Sequence, residues 1–142
     1  MFTRRIPAYS TEKGFRDMTS DIGAAFRALH EADGAFLIPN PWDAGSAKMM
    51  HGVGFKALAS TSSGFAAAIA KKDGKTSREE ALENCRKLAE ATPLPVNGDL
   101  ENGYGDSPED AAETVRLAAA AGLAGCSIED YSGETIYDFG HA

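Results

Sequence analysis

Two carboxylates stand two residues apart in the segment 95–105, directly after a short apolar run. Asp99 and Glu101 follow Val96, and on an extended backbone residues at that spacing point to the same side of the chain. Like charges that lie close together raise one pKa or attract a cation, and carboxylate oxygens suit a hard ion such as Mg²⁺. A polar loop with ordinary surface acids is the simpler interpretation of this pair alone, so the rest of the chain must decide between the two.

Three other polar clusters also follow short apolar runs. These clusters are Asn40 with Asp43, Ser62 to Gly64, and Glu129 with Asp130. If the runs are parallel strands, their carboxyl ends meet at one edge of a sheet, and in β/α barrels that edge carries the active site. Carboxylates from several loops at one edge require either a bound ion or widely separated pKa values. The arrangement therefore predicts a metal site.

Strands and helices alternate along the chain after one leading helix, which is predicted over 21–32 with Asp21 as its cap. Continuous apolar runs predict buried strands at 35–38, 55–60, 94–98 and 123–128. The helices between them are expected to begin after the caps Asp43, Ser77 and Ser107, of which Ser77 starts an S-x-x-E capping box. Such alternation implies a parallel sheet with right-handed crossovers.

Two parallel α/β architectures fit this order: an open doubly wound sheet and part of a (β/α)₈ barrel. No G-x-G-x-x-G motif follows the first predicted strand, so the dinucleotide-binding form of the open sheet has no support. A complete barrel needs about 250 residues, and the four strands predicted in these 142 residues are half of one. Residues 1–19 carry four basic residues and no apolar stretch, which predicts a mobile N-terminal tail rather than a secretory signal.

The composition argues against two classes of partner. The formal net charge is −7, from 14 basic and 21 acidic residues, and no basic stripe is present, so nucleic acid is not an expected partner. No apolar run approaches the roughly 20 residues that span a bilayer, so no membrane partner is expected either. Cys85 and Cys126 lie far apart in predicted regular elements and are expected to be buried thiols of a reducing compartment, which makes the cytoplasm the predicted location.

Five stretches of the chain together resemble the isocitrate lyase/phosphoenolpyruvate mutase superfamily. They are N-P-W-D-A-G-S-A at 40–47, T-S-S-G-F at 61–65, K-D-G at 72–74, D-L-E-N-G-Y-G at 99–105 and G-C-S-I-E-D at 125–130. Each stretch is a weak signal alone, but their order and spacing are specific. The chain is similar above all to the branch often labelled carboxyvinyl-carboxyphosphonate phosphorylmutase-like.

The resemblance implies the N-terminal half of a TIM-type (β/α)₈ barrel over residues 20–142, with four parallel strands and outer helices. It also implies Mg²⁺, a small 2-oxo acid or phosphonate substrate, a homo-oligomer, and the making or breaking of a C–C or C–P bond next to an enolate. The implied site residues are Asp99, Glu101 and Glu129 for the metal, Asp73 for catalysis near it, and Ser63, Gly64 and Phe65 for the substrate. From the residues alone, Asp73 is equally well explained as a turn former.

The chain departs from the family pattern in two ways. Lyases of the family carry a Lys-Lys/Arg-Cys-Gly-His loop after the strand matching 125–129, whereas residues 131–142 contain no cysteine, so isocitrate or methylisocitrate cleavage is not expected. The family barrel also continues for four more strands. A half barrel would leave strand edges unpaired and side chains such as Leu37, Leu58 and Val96 facing water. The alternative function is therefore an inactive fragment that acts only as a folding or association module.

Overall fold

The computed structural model describes residues 22–142, so the predicted tail at 1–19 and the predicted cap Asp21 lie outside the described residues. The helices are α1 Ile22–Glu31, α2 Ala44–Val53, α3 Ser62–Ala68, α4 Arg78–Ala91 and α5 Pro108–Ala120. The strands are β1 Leu58–Ala59, β2 Val96–Asp99 and β3 Gly125–Ser127. Within these residues, no helix combines the length and the apolar character that a membrane crossing requires.

The three strands form one parallel sheet in the order β1-β2-β3. Leu58 pairs with Val96, and Gly98 pairs with Cys126. Strands that are added one beside the other in chain order are what successive β/α units of a barrel produce. The buried clusters join the sheet to α2, α4 and α5 on one face, whereas an open doubly wound sheet is covered on both. The predicted α/β fold with a parallel sheet is confirmed.

The predicted count of four strands is not confirmed: the described residues contain three strands, and residues 35–38 belong to none of them. This segment lies beside β1, where the Ala59 N–H donates to the Pro39 carbonyl at 3.0 Å. Pro39 and Pro41, which follow the segment, have no backbone N–H to donate, so two ladder donors are missing directly after 35–38. Leu37 of this segment is 76% exposed, as expected of a half barrel.

The main hydrophobic cluster lies between the sheet and the helices. Leu58 and Val96 are fully buried there with Leu88 of α4 and Ala47 of α2. The expectation that Leu58 and Val96 would face water is therefore wrong, because both side chains lie on the helix-covered face of the sheet. Asp99, on the opposite face of β2, is half-buried.

A second cluster joins α4 and α5 to the carboxyl end of β2. It contains Cys85, Leu100 and Ala118, with the half-buried Cys126 packed against it, and both cysteines are free thiols. Gly98 allows this close packing, because a Cβ at that position would lie 2.6 Å from Leu123 Cδ1. The packing places the end of β2 firmly between two helices.

The three predicted helix caps that lie within residues 22–142 are confirmed. The Asp43 side chain accepts a hydrogen bond from the Ser46 N–H at 2.8 Å. Ser77 and Glu80 form the predicted capping box, in which the Ser77 N–H donates to Glu80 Oε2 at 2.8 Å. The Ser107 side chain caps α5. The box at Ser77 fixes the loop that precedes α4, and this loop borders the site.

We expect Leu58→Ala to lower the free energy of unfolding by about 2–5 kcal/mol, because it leaves a cavity in the main cluster. Leu37→Ala removes the same atoms from an exposed position and should change it by less than about 0.5 kcal/mol. Urea denaturation followed by circular dichroism measures both values. Equal losses in the two variants would show that 35–38 is a buried strand after all.

Candidate functional site

A cleft of about 500 Å³ opens beyond the carboxyl ends of β2 and β3. Three loops contribute to its walls: the loop before α4, the loop after β2, and the segment after β3. Its polar lining includes Asp73, Thr76, Glu101, Asn102 and Glu129. The cleft therefore lies at the edge of the sheet where the sequence predicted a site.

Asp99 is the last residue of β2. Its backbone N–H and its side chain are each held by a serine that follows β1. Its N–H donates to the Ser60 hydroxyl at 2.8 Å, and its Oδ2 accepts from the Ser62 N–H at 2.7 Å. Ser60 is 4% exposed, so the first of these bonds is shielded from water. Within the described residues, the other oxygen of Asp99 accepts no hydrogen bond, and Asp99 itself lies behind Ser62 and Glu101, which line the cleft.

Glu101 reaches the cleft by a different route from the one its spacing suggested. The strand ends at Asp99, and Glu101 has a φ of 48°, in the left-handed region that non-glycine residues adopt only at a cost. Its carbonyl accepts from the Glu129 N–H at 2.7 Å, which ties the turn to the segment after β3. Its Oε1 accepts from the Thr76 hydroxyl at 3.4 Å. A strained turn, rather than an extended strand, therefore brings the Glu101 carboxylate to the site.

The electrostatic environment of Glu101 is unfavourable to its charge. Burial raises the pKa of Glu101 above its usual value, and the charges of Asp73, Asp99 and Glu129 raise it further, whereas the Thr76 hydroxyl acts in the opposite direction. Four carboxylates from three segments of the chain thus repel one another around Glu101. A cation bound there would relieve this repulsion.

The donors of the cleft fit a hard divalent cation that is held partly through water. All the acidic groups named above offer oxygen ligands, which Mg²⁺ prefers. Three of these side chains do not lie close enough to bind one ion directly: residues 22–142 contain no group of three His, Cys, Asp or Glu side chains placed to hold one ion. Glu129 and Asp73 are exposed, while Asp99 and Glu101 are half-buried. The convergence of Asp99, Glu101 and Glu129 on one ion stays a prediction.

The candidate substrate residues begin a helix rather than a loop. Ser63, Gly64 and Phe65 lie in the first turn of α3, whose cap Thr61 accepts from the Gly64 N–H at 3.4 Å. A Cβ at Gly64 would lie 2.5 Å from Trp42 Nε1, so glycine is required for the indole to pack there. The preceding residue of α3, Ser62, lines the cleft and donates to Asp99. This bond places the start of α3 beside the candidate metal site.

The segment after β3 borders the cleft and is fastened to the loop after β2. The Tyr137 hydroxyl donates to Asp106 Oδ1 at 2.6 Å and accepts from Asn102 Nδ2 at 2.9 Å. His141 Nε2 lies 2.7 Å from the Asp106 carbonyl oxygen. Tyr131 and Ser132, in the same segment, line the cleft. None of these contacts was expected from the sequence.

Three residues that shape the site gave no clear signal in the sequence. Ser60 is an ordinary small residue at a strand end, and Thr76 precedes a helix cap without any motif of its own. Tyr104 lines the cleft with a φ of 62°. Its position between Gly103 and Gly105 was the one available sign of an unusual backbone, since glycines accompany tight turns.

Comparison with known proteins shows how far the resemblance extends. The sequence pattern described as phosphoenolpyruvate phosphomutase matches residues 26–142. A structure from Burkholderia cenocepacia J2315, provisionally described as a lyase/mutase, is 49% identical to this chain with a TM-score of 0.83. The match covers 86% of this chain and 45% of the Burkholderia chain. The structure of oxaloacetate acetylhydrolase in complex with the product oxalate is 25% identical, with a TM-score of 0.77. That match covers 84% of this chain and 45% of the hydrolase chain. The 2-methylisocitrate lyase of Salmonella typhimurium is 31% identical over 78% of this chain and 38% of its own length. The chain thus spans less than half the length of these relatives.

We expect Asp73→Asn to lower the pKa of Glu101, because it removes a negative charge that raises it. Because the pKa of Glu101 is raised in the native state, the native state holds this proton to a higher pH than the unfolded state does. Glu101 therefore lowers the free energy of unfolding once the pH is high enough to ionise it. The variant should therefore be more stable than the wild type at pH 7 and equally stable below about pH 3, where carboxyl groups are protonated in both.

Carboxyl ¹³C chemical shifts followed by NMR measure the pKa of Glu101, and thermal melts at the two pH values measure stability. Asp33→Asn, at an exposed position after α1, is the matched control and should leave the Glu101 titration unchanged. An unchanged Glu101 pKa in Asp73→Asn would show that the two carboxylates do not share the cleft.

Proposed function

Because the chain belongs to the phosphoenolpyruvate phosphomutase family, we propose that it forms the front half of a Mg²⁺-dependent enzyme that makes or breaks a C–C or C–P bond next to a 2-oxo acid enolate. Relatives include a 2-methylisocitrate lyase, a carboxyvinyl-carboxyphosphonate phosphorylmutase and an oxaloacetate acetylhydrolase, and the last of these names a 2-oxo acid. The structural neighbours of this chain are barrels of the same superfamily, and the described sheet and helices match less than half of them. The proposal concerns the substrate, the metal and the roles of individual residues.

The observation that carries the proposal is the concentration of negative charge around Glu101. Asp73, Asp99 and Glu129 all act on this carboxylate, and no cationic side chain appears among the groups that shift its pKa. Such a cluster is costly without a counter-ion. Asp99, Glu101 and Glu129 would hold Mg²⁺, partly through water. The chemistry that a bound Mg²⁺ supplies is Lewis-acid stabilisation of the charge on an enolate oxygen.

The start of α3 would bind the carboxylate and oxo groups of the substrate. The first N–H groups of a helix have no partner within the helix, and the Ser63 N–H is one of them, whereas the Gly64 N–H donates to the Thr61 side chain. The Ser63 side chain is exposed and can donate its hydroxyl proton, whereas Phe65 is half-buried and would contact the carbon skeleton. The Ser62–Asp99 hydrogen bond keeps these donors next to the proposed metal ligands, so that the substrate can reach both.

Asp73 is the proposed proton-transfer group. It lines the cleft, is exposed, and its Oδ1 accepts from the Gly74 N–H at 3.1 Å. Gly74 has a φ of 70°, which lets the loop turn sharply after the carboxylate. Asp73 would hold or release a proton at the carbon beside the oxo group. Residues 131–142 contain no cysteine to act as an acid, so the proposal favours decarboxylation, hydrolysis or mutase chemistry over thiol-dependent cleavage.

Product analysis by ¹³C and ³¹P NMR tests the proposed function. The protein expressed from its complete reading frame is incubated with oxaloacetate, phosphonopyruvate or methylisocitrate, with Mg²⁺ and with a chelator. We expect turnover of oxaloacetate or phosphonopyruvate that the chelator abolishes. Asp73→Asn should lower kcat by about 10²- to 10⁴-fold, because it removes the group that transfers the proton.

Asp33→Asn serves again as the control and should leave kcat unchanged. Turnover that persists with the chelator, or an unchanged kcat in Asp73→Asn, would contradict the corresponding part of the proposal. Turnover of none of the three substrates would contradict the proposed substrate class.

A further inference from the structure

Tyr104 carries a buried hydroxyl group that has no hydrogen-bond partner among the described residues. Buried polar groups are nearly always paired, because an unpaired hydroxyl forgoes the hydrogen bonds it would make with water. The side chain lines the cleft together with Thr76 and Glu101. An unpaired donor at this position points to a hydrogen bond that forms when the site is occupied.

The backbone at Tyr104 is held in a conformation that side chains rarely adopt, with a φ of 62°. Its two neighbours leave no room for a side chain. A Cβ at Gly103 would lie 2.8 Å from Ala111 Cα, and one at Gly105 would lie 2.3 Å from Asp110 Cγ. Because α5 packs closely against the residues before and after Tyr104, the loop has little room for another conformation.

Further contacts fix the direction of the Tyr104 side chain. Arg78 Nη2 donates to the carbonyl oxygens of Gly103 and Tyr104 at 3.3 and 3.4 Å. The Thr114 hydroxyl donates to the Gly103 carbonyl at 2.6 Å. The Tyr104 ring packs against the buried cluster that contains Leu100. The hydroxyl group is thus placed in the floor of the cleft by a loop with little freedom.

Thr76 lies next to both Tyr104 and Glu101. It is 8% exposed, and its hydroxyl donates to Glu101 Oε1 over a long 3.4 Å. Burial and then the Glu101 charge raise the pKa of Tyr104, whereas the nearby Thr76 hydroxyl lowers it. The two hydroxyl groups do not yet meet in hydrogen-bonding geometry. A small movement would complete the chain.

The proton count fixes the direction of such a chain. A threonine hydroxyl has one proton and can donate it to one acceptor. When Thr76 donates to Glu101, it can only accept from Tyr104. A buried phenol keeps its proton at neutral pH and always has it to give. Each donor then has an acceptor, and neighbouring hydrogen bonds in a chain strengthen one another.

We propose that Tyr104 is a positioning residue for the metal site: its hydroxyl donates to Thr76, Thr76 donates to Glu101 Oε1, and this relay turns Glu101 Oε2 toward a bound divalent cation. The inference rests on the proposed function, because it requires the cation. Groups that hydrogen-bond to metal-binding carboxylates commonly change metal affinity by about 10- to 100-fold.

Mn²⁺ binding measured by electron paramagnetic resonance tests the relay, with Mn²⁺ as the probe ion. We expect Tyr104→Phe and Thr76→Val each to weaken Mn²⁺ binding about tenfold. Thr76→Ser keeps the hydroxyl and should retain the wild-type affinity. The Tyr104→Phe/Thr76→Val double variant should bind no more weakly than Thr76→Val alone, because both changes break the same relay.

Thermal unfolding without Mn²⁺ separates positioning from a structural role. Tyr104→Phe removes an unpaired hydroxyl, so its melting temperature should equal or exceed that of the wild type.

An unchanged affinity in Tyr104→Phe, or additive losses in the double variant, would overturn the relay and leave the proposed function intact. Loss of affinity accompanied by a lower melting temperature in Tyr104→Phe would also overturn it, in favour of a structural role. Absence of Mn²⁺ binding by the wild type would instead overturn the metal site of the proposed function, and the relay with it.

Discussion

Repulsion among carboxylates at the carboxyl end of the sheet is the constraint around which the rest of the site is arranged. Asp73, Asp99 and Glu129 surround Glu101, which is itself half-buried and has a strained backbone. Several features of the fold oppose their separation. Asp99 is bonded to Ser60 after β1 and to Ser62 at the start of α3, Glu101 is bonded to the segment after β3, and the loop before α4 is fixed by its capping box. These contacts hold like charges close together, and a cation bound between them would remove the repulsion.

The sheet accounts for this convergence in simple terms. Parallel strands in sequential order bring the loops that follow them to one edge, although the loops are distant in the chain. The helix-covered face buries Leu58 and Val96, and the alternation of β2 then places Asp99 on the opposite face. The hydrophobic core and the candidate site are therefore two sides of the same strand. A change in the register of β2 would disturb both at once.

The features that depend on local chemistry were predictable from the sequence. Asp43, Ser77 and Ser107 cap helices where their side chains and spacing indicated. Members of three of the predicted polar clusters, Ser62, Glu101 and Glu129, line one cleft at the edge of the sheet. No strand forms at 35–38, although its apolar residues predicted one, because the prediction gave too little weight to the two prolines that follow. The turn at Glu101 could not be foreseen, since tertiary packing imposes a left-handed conformation against local preference. Thr76 and Ser60 escaped notice for the same reason: their roles depend on neighbours that only the folded chain supplies.

The central claim is that Asp99, Glu101 and Glu129 share one divalent cation. Anomalous X-ray scattering from crystals grown with Mn²⁺ tests it most directly, because the signal locates the ion without assumptions about its ligands. We expect one strong peak in the cleft, within direct or single-water reach of all three carboxylates. Absence of a peak there, or a peak bound by other residues, would contradict it.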